Sequence, residues 1–427
     1  MAVKRFRAVL IAVALSLCAL PALATAYTGG EANRFNAWMT PSRGEVFVPV
    51  FLVEFQHVGF DEDAMTPEEV RSLLFDMNNP DSFARYEYVA SYGALRVDGA
   101  VFAYTARMDK ADYEDEEAGF ERLGMEVLAA FDDAIDYARC DADGSGDIDA
   151  FVLNIAGADE WDSFWYGCQA VWYLNDAFAP DGVYPANYII NDAQPDPNDT
   201  EYYVQEMAHE FGHCMGLPDY YIPGRWSDGD GLRGPAGLEM MDDMEGDYSQ
   251  FSKLMMGWLR EDQVSVYTGG TREYALPSAQ REAGCVLIPR DPAAAEPFLS
   301  EYFLIEYNTA DANMAGALRR REEGVRVLHV DAEVLLEPWG ERYFKYAVDS
   351  EYYHSRGRNR GRRILRLVND GKRAARVGDA FGPGTSGFGW YDDREMPALP
   401  VGVRVEVLSI EGGMARIRVS PARQNNP

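Results

Sequence analysis

The 427-residue sequence predicts an α/β (α+β) domain at residues 46–262, followed by a β-rich domain at residues 263–427. Up to about residue 259, apolar runs typical of strands alternate with runs whose apolar residues recur at helical spacing. Beyond residue 262, short β-prone runs alternate with Gly and Pro turns. The chain is long enough to bury two well-formed cores.

The first domain begins with a strand and two short helices. Residues 46–55 are nearly all apolar and β-prone, which predicts a buried strand. Thr66, Pro67 and Glu69 form a capped helix start, and a second helix is expected from Ser82. Further along we expect a strand at 95–104, a long amphipathic helix from Phe120 to Ile135, a strand at 148–156, and helices at 201–215 and 251–259.

The second domain is predicted from four β-prone runs. They lie at residues 302–307, 325–330, 364–368 and 403–408. Each is bounded by turn-forming residues, so we expect a sandwich or part of one.

The start of the chain resembles an export signal. Three basic residues precede an apolar stretch at residues 8–20, and small residues follow near Ala24 and Ala26. This predicts a signal peptide at 1–26, a short N-terminal segment at 27–45, and secretion. The alternative, a membrane anchor, is disfavoured because a spanning helix needs about 20 apolar residues.

The charge and composition narrow the possible partners. The formal charge is −31 and 13% of the residues are aromatic. Such an acidic surface repels nucleic acid and anionic lipid, so we expect neither nucleic-acid binding nor stable membrane association. We expect a monomer whose partners are proteins or peptides.

Four cysteines follow the predicted signal peptide. They are Cys140, Cys168, Cys214 and Cys285. An even count in an exported chain permits one or two disulfides, and the three full pairings are not distinguished by sequence. For Cys214 we favour a buried apolar position on its helix over a bridge.

The motif HExxHxxGxxD at residues 209–219 is the main functional signal. His209 and His213 are four residues apart, so on a helix both imidazoles leave one face and can share one ion. Asp219, beyond a helix break at Gly216, is the expected third ligand. Imidazole suits Zn²⁺, and catalytic zinc takes three protein ligands. Glu210 is the expected catalytic base, and one catalytic Zn²⁺ the expected cofactor.

The flanking sequence places this motif on a helix. Asn198, Asp199 and Thr200 offer N-cap side chains before the predicted helix at 201–215. A bare HExxH also occurs by chance on ordinary helices, but the continuation through Gly216 and Asp219 argues against chance.

An acidic loop before the predicted strand at 148–156 is a candidate for Ca²⁺. Oxygen-bearing side chains alternate along it: Asp141, Asp143, Ser145, Asp147 and Asp149. Gly146 stands at the sixth position, as in an EF-hand loop, but Val152 replaces the usual bidentate Glu at the twelfth. The alternative is an acidic turn that binds no ion.

The sequence resembles the secreted zinc metalloproteases of the immune inhibitor A family, in the metzincin-like group. The motifs that carry the resemblance are HEFGHCMGLPDYY at 209–221, VASYGALRVDGAV at 89–101, DADGSGDID at 141–149, GLEMMDD at 237–243, FSKLMMGWL at 251–259, EYFLIEY at 301–307 and VRVLHVD at 325–331. They cover both predicted domains.

The resemblance implies a zinc-dependent endopeptidase acting on extracellular proteins, with residues 46–262 as its catalytic domain. It assigns zinc to His209, His213 and Asp219, and the role of base to Glu210. Met241 would form a Met-containing turn beneath the metal.

The sequence departs from this family in two places. Members of this family are commonly made with a long propeptide. Here the first predicted strand begins only about 20 residues after the predicted cleavage point. Asp243 stands where some metzincins have a Tyr that steadies the transition state. Tyr220, Tyr221 and Tyr248 are the possible replacements.

Three rival interpretations remain. The third ligand could come from Glu239 instead of Asp219. The protein could be a catalytically silent binding or adhesion protein on the same fold, although its intact Glu210 argues against this. A structural zinc site is disfavoured, because three ligands leave the ion open.

Overall fold

The computed structural model describes most of the chain after the predicted leader. The described residues are 39–114, 118–158, 164–172, 178–221, 239–244, 246–294, 296–314, 323–336, 342–347, 363–368, 374–385, 387–391 and 397–422. The predicted signal peptide and most of the 27–45 segment lie outside these residues. In the part of the chain that is described, no helix has the length and apolar character needed to cross a membrane.

A five-stranded sheet forms the centre of the first region, by which we mean the described residues up to residue 262. Its strands are β1 (Gly44–Glu54), β2 (Leu95–Thr105), β3 (Phe151–Ile155), β4 (Cys168–Val171) and β5 (Asn187–Asn191), in the order β2-β1-β3-β5-β4. Four strands run parallel, and β4 pairs antiparallel with β5 at one edge. The strands predicted at 46–55, 95–104 and 148–156 are therefore confirmed, while β4 and β5 were not predicted.

The described residues form six α-helices, which pack on this sheet or follow it in the chain. They are α1 (Pro67–Phe75), α2 (Phe83–Ala90), α3 (Gly119–Ala130), α4 (Thr200–Cys214), α5 (Met240–Asp243) and α6 (Gln250–Met255). The capping box predicted at α1 is present, because Thr66 accepts a hydrogen bond from the Glu69 N–H and the Glu69 side chain accepts one from the Thr66 N–H.

The helix predicted from Phe120 to Ile135 ends early. It stops at Ala130, and a turn follows at residues 132–134. Two consecutive Asp residues begin that turn, and Asp is a weak helix former. Ile135 still belongs to the core beneath the helix, which explains why its spacing fitted the helical pattern.

The second region is β-rich, as predicted. Its strands are β6 (Val264–Val266), β7 (Arg272–Pro277), β8 (Cys285–Pro289), β9 (Glu301–Asn308), β10 (Gly324–Asp331), β11 (Val334–Leu336), β12 (Arg342–Phe344), β13 (Leu365–Leu367), β14 (Ala380–Phe381), β15 (Gly389–Tyr391), β16 (Pro397–Pro400), β17 (Val403–Glu411) and β18 (Met414–Pro421). A five-stranded sheet (β13-β10-β9-β8-β6) and a four-stranded sheet (β14-β17-β18-β7) share one apolar core.

The largest hydrophobic core spans both regions. It joins Val50 of β1 and Phe211 of α4 to Met255 of α6, and it continues to Leu304 of β9 and Leu328 of β10. The predicted boundary between residues 262 and 263 therefore crosses a continuous core. The described residues have a mixed α/β class with a β-rich second part.

Candidate metal centre

Helix α4 carries the HExxH motif, as the sequence predicts. It packs against β5, β4 and α2, and residues 206–212 are all buried. Asp199 occupies the N-cap position, although its side chain makes no capping hydrogen bond. The helix holds His209 and His213 one turn apart, and their ring centroids are 4.8 Å apart.

The end of α4 sets the orientation of His213. Gly216 has φ of 92°, its N–H donates to the His213 carbonyl at 2.8 Å, and the Leu217 N–H donates to the Gly212 carbonyl at 3.0 Å. This is a Schellman ending, for which glycine is the favoured residue. It turns the Leu217 carbonyl back toward the helix, where it accepts a hydrogen bond from His213 Nδ1 at 2.7 Å.

The short helix α5 orients His209. The Met240 carbonyl accepts a hydrogen bond from His209 Nδ1 at 3.0 Å. Because a carbonyl only accepts, both histidines carry their proton on Nδ1. Nε2 is therefore the nitrogen of each ring that is left to bind a metal, which it does in the neutral imidazole.

Three acceptor atoms converge at one point beside α4. His209 Nε2 lies 3.2 Å from His213 Nε2, and Asp219 Oδ1 lies 3.2 Å from the first nitrogen and 3.3 Å from the second. Ligand atoms held at about 2.0–2.1 Å around a tetrahedral zinc are about 3.3–3.4 Å apart. A positive charge, either a metal ion or a proton on a ring nitrogen, is needed to hold these three atoms so close together. The donor set and its spacing therefore fit a Zn²⁺ ion.

The ionisation of these side chains also favours positive charge at the centre. Burial alone would raise the pKa of Asp219, but His213 and His209 outweigh it and lower that pKa. Burial alone would lower the pKa of His209, yet its contact with Asp219 raises it overall. The His209 side chain is 4% exposed, whereas His213 and Asp219 are 18% and 20% exposed. His209 therefore lies on the buried side of the centre, whereas His213 and Asp219 lie on the side that solvent can reach.

Glu210 lies next to the two histidines. A carboxylate oxygen of Glu210 and one ring nitrogen of each histidine lie within 4.8 Å of one another. Burial raises the pKa of Glu210, while the backbone N–H of Gln169 in β4 donates to its carboxylate and lowers it. Its Oε2 is buried and accepts no hydrogen bond from the described part of the chain. Glu210 can therefore exchange a proton with a small molecule at the centre.

Met241 packs against the helix that carries the motif. A Cβ built on Gly212 would lie 2.6 Å from Met241 Sδ, so the sulfur packs directly against the glycine of the motif. Met241 is fully buried. It supports the helix as an apolar contact.

Of the three candidate tyrosines, Tyr221 is the one beside the centre. Its ring stacks on His209 with centroids 6.2 Å apart, and its side chain hydrogen-bonds to Asp219. Tyr220 instead bonds to Ser252 Oγ, and Tyr248 donates to the Ala208 carbonyl, inside the core. The side chain of Asp243 lies outside the described residues.

Glu239, the rival ligand, is hydrogen-bonded elsewhere. It is fully buried, and its oxygens accept hydrogen bonds from Met241, Ser249 and Ser252. Among the described side chains, the metal-binding group at α4 does not include it. Asp219, not Glu239, is the carboxylate that faces the histidines.

The acidic loop brings part of the predicted Ca²⁺ set together. Carboxylate oxygens of Asp141, Asp143 and Asp149 lie within 4.8 Å of one another. Asp141 already accepts hydrogen bonds from the N–H groups of Ser145 and Gly146 at 2.9 and 3.0 Å. Burial raises the pKa of Asp147, as do Asp141 and Asp143. Calcium at this loop stays a prediction.

All four cysteines are free thiols, so the disulfides that the count permits do not form. Cys140 lies in the core on one face of the first sheet, whereas Cys214 and Cys285 lie in the core on its other face. Burial raises the pKa of Cys140 to about 12 and also raises that of Cys214. Cys214 is a buried core residue, as favoured from the sequence.

Three groups at the centre were not foreseen, namely the carbonyls of Met240 and Leu217 and the N–H of Gln169. All are backbone groups, so residue type gave no signal for them. Only the glycine after α4 hinted that the chain returns toward His213.

Comparisons with known proteins give little further information. No protein-family model matches the chain. No curated protein matches it. Among solved structures, two crystal forms of wild-type OgpA from Akkermansia muciniphila are similar at 14% identity. One alignment covers 73% of this chain and 94% of OgpA with a TM-score of 0.26, and the other covers 75% and 98% with a TM-score of 0.27. Likeness this weak carries no inference about function.

Proposed function

We propose that this chain is a secreted zinc-dependent endopeptidase that hydrolyses peptide bonds in extracellular proteins. The observation that carries the proposal is the convergence of His209 Nε2, His213 Nε2 and Asp219 Oδ1 within 3.3 Å of one another, with Glu210 alongside. Two nitrogens, one oxygen and an open side are typical of catalytic zinc sites.

The chain's own groups would hold the ion rigidly. The Met240 and Leu217 carbonyls fix the tautomer and rotation of the two imidazoles, and Tyr221 hydrogen-bonds to Asp219. When bound, Zn²⁺ supplies a Lewis acid that polarises the scissile carbonyl and lowers the pKa of a coordinated water toward about 7.

Glu210 carries the proton through the reaction. As the water oxygen bonds to the carbonyl carbon, Glu210 accepts one water proton. The carbon–nitrogen bond then breaks, and Glu210 returns that proton to the leaving amine. One water is consumed, and one carboxyl and one amine are formed. Gln169 stabilises the Glu210 carboxylate before the first transfer.

The site's surroundings suggest where a peptide would approach. Access is from the side of His213 and Asp219, because His209 and Glu210 are buried. Tyr221 also lies on the rim of the centre and is our candidate for donating a hydrogen bond to the scissile carbonyl oxygen.

The proposal includes the setting in which the enzyme works. The basic and apolar start of the chain supports export, and the charge of −31 suits a soluble monomer that avoids nucleic acid and membranes. Calcium in the loop at residues 141–149 is proposed as a second, structural ion.

Hydrolysis of casein by the secreted chain tests the proposal, beside its Glu210→Ala variant. We expect the parent to cleave casein, to stop when a chelator removes zinc, and to recover when zinc is restored. Glu210→Ala should keep its zinc content and lose about a hundredfold or more in turnover, the contribution of a general base.

Full activity in Glu210→Ala would contradict the assignment of the base. No activity in either protein, with zinc bound in both, would favour the alternative of a catalytically silent binding protein. Asp219→Ala measured alongside should lose zinc, whereas loss of zinc in Glu239→Ala alone would return the third-ligand role to Glu239.

A further inference from the structure

We infer that Glu239 is a positioning residue, which fixes the geometry of the zinc ligands through two carbonyl oxygens of α5. The inference rests on the proposed zinc site but not on the reaction catalysed there. It changes Glu239 from a rival ligand into the group that holds two of the ligands in place.

Helix α5 contacts both ends of the ligand set. The Met240 carbonyl accepts the hydrogen bond from His209 Nδ1 at 3.0 Å. The next carbonyl, that of Met241, accepts one from the Tyr220 N–H at 2.8 Å, immediately after Asp219 in the chain. A shift of α5 would therefore move the first and third ligands together.

Helix α5 has only four residues, so it cannot hold its own position. Glu239 is its N-cap, and Glu239 Oε2 accepts a hydrogen bond from the Met241 N–H at 2.6 Å. Its other oxygen accepts from the Ser249 N–H at 3.1 Å and from Ser252 Oγ at 2.5 Å. Glu239 thus joins α5 to α6 by hydrogen bonds.

Helix α6 is itself anchored on both sides. Ser252 Oγ also contacts the Tyr220 hydroxyl at 3.0 Å. At its start, the Gln250 N–H donates to Glu306 Oε2 of β9 at 2.7 Å. The chain of contacts runs from β9 through α6 and Glu239 to α5, and from there to His209.

The acceptor-only chemistry of a carboxylate explains why Glu occupies this position. All its described partners are donors, so a glutamine would turn its NH₂ toward either the Met241 N–H or the donors of α6. Burial raises the pKa of Glu239 to about 7, although the bonds from Ser252 and Met241 lower it. Such a costly buried acid is tolerated only when its oxygens are satisfied.

The test compares Glu239→Gln with Glu301→Gln in the full-length mature chain. Both carboxylates are buried and accept backbone N–H groups. The described hydrogen bonds of Glu301 go to Arg290, His329 and Tyr391, none of which lies in α5 or α6. Zinc affinity is measured by competition with a chromophoric chelator, ligand geometry by the visible spectrum of the cobalt form, and folding by thermal unfolding without metal.

We expect Glu239→Gln to bind zinc about 10- to 100-fold more weakly than the parent, the usual effect of losing a group that orients a metal ligand. Its cobalt spectrum should shift. Glu301→Gln should stay within about threefold of the parent in zinc affinity, with the parent's cobalt spectrum, even where it unfolds earlier.

If Glu239→Gln does not fold, Ser252→Ala replaces it, since this removes one donor to Glu239 and leaves its carboxylate in place. It should weaken zinc binding severalfold. Unchanged zinc affinity and spectrum in the folded variant, or equal losses in the Glu301 control, would overturn the inference. A parent that binds zinc but cleaves no protein contradicts only the proposed function, whereas a parent that binds no zinc contradicts both.

Discussion

At the scale of single residues, the sequence predicted which side chains form the metal centre. It did not predict how those side chains are oriented. The sequence predicted His209, His213, Asp219 and Glu210 as one group, and the structure brings them together. The carbonyls that orient the imidazoles could not be predicted, because every residue carries one. Only the fold decides which carbonyl faces a ring nitrogen.

Gly216 provides a test at this scale. Its φ of 92° is strained for any side chain, so Gly216→Ala should lower the free energy of unfolding by about 1–2 kcal/mol. It should also weaken zinc binding, because the Leu217 carbonyl would leave His213 Nδ1. Chemical denaturation and zinc competition measure the two effects.

Gly182→Ala is the matched control for that experiment. Gly182 has φ of 83°, and a Cβ there would meet nothing within 4 Å. It should lose stability without losing zinc affinity. Equal zinc affinity in Gly216→Ala and Gly182→Ala would mean that the Schellman ending does not orient His213.

At the scale of elements, the sequence predicted the helices and strands whose apolar pattern lies within one segment. It did not predict which segments pair with one another. Helix α4 and strands β1, β2, β9 and β10 follow their sequence patterns closely. Strands β4 and β5 were missed because they are short and carry polar residues. Asn187 of β5 can be buried because it donates a hydrogen bond to Thr40, a residue far away in the chain.

The packing of α5 beneath α4 gives a prediction at this scale. Alanine normally stabilises a helix relative to glycine by about 1 kcal/mol. At residue 212 its Cβ would lie 2.6 Å from Met241 Sδ and 3.3 Å from the Tyr248 hydroxyl. Gly212→Ala should therefore destabilise the protein by about 1–3 kcal/mol, the usual cost of overpacking.

Urea unfolding of Gly212→Ala, Met241→Ala and the double variant measures that coupling. The double variant should be more stable than the sum of the single losses predicts, because removing the Met side chain relieves the overlap. Additive losses, or a Gly212→Ala protein more stable than the parent, would show that Met241 does not press on α4.

At the scale of the whole molecule, one core and one polar network connect the two regions. The sequence predicted the change from mixed α/β structure to β-rich structure. It did not predict that the two regions share a core, because an apolar pattern shows that a face is buried but not which element covers it. Buried polar groups also connect the two regions. Lys253 of α6 pairs with Asp247 at 2.7 Å in the first region and donates to the Ala279 carbonyl at 3.1 Å in the second.

Glu87 makes the stability of this assembly depend on pH. It is fully buried, and burial raises its pKa to about 8, although the Tyr248 hydroxyl lowers it. An acid with a raised pKa in the folded state favours folding while it is protonated. Its stabilisation is complete below the unfolded pKa of about 4.3 and declines as pH rises through about 8.

Unfolding free energies of the parent and Glu87→Gln between pH 5 and 8 test this sign. The two proteins should be similar near pH 5. The variant should become the more stable one toward pH 8, with a relative slope of at most about 1.4 kcal/mol per pH unit. A difference that stays constant over this range would show that Glu87 does not titrate there.

Zinc-edge anomalous diffraction from crystals of the mature chain tests the central claim most directly. The account predicts one strong peak at about 2.0–2.2 Å from His209 Nε2, His213 Nε2 and a carboxylate oxygen of Asp219. A peak held by other residues, or no peak beside α4 in zinc-loaded crystals, would contradict it.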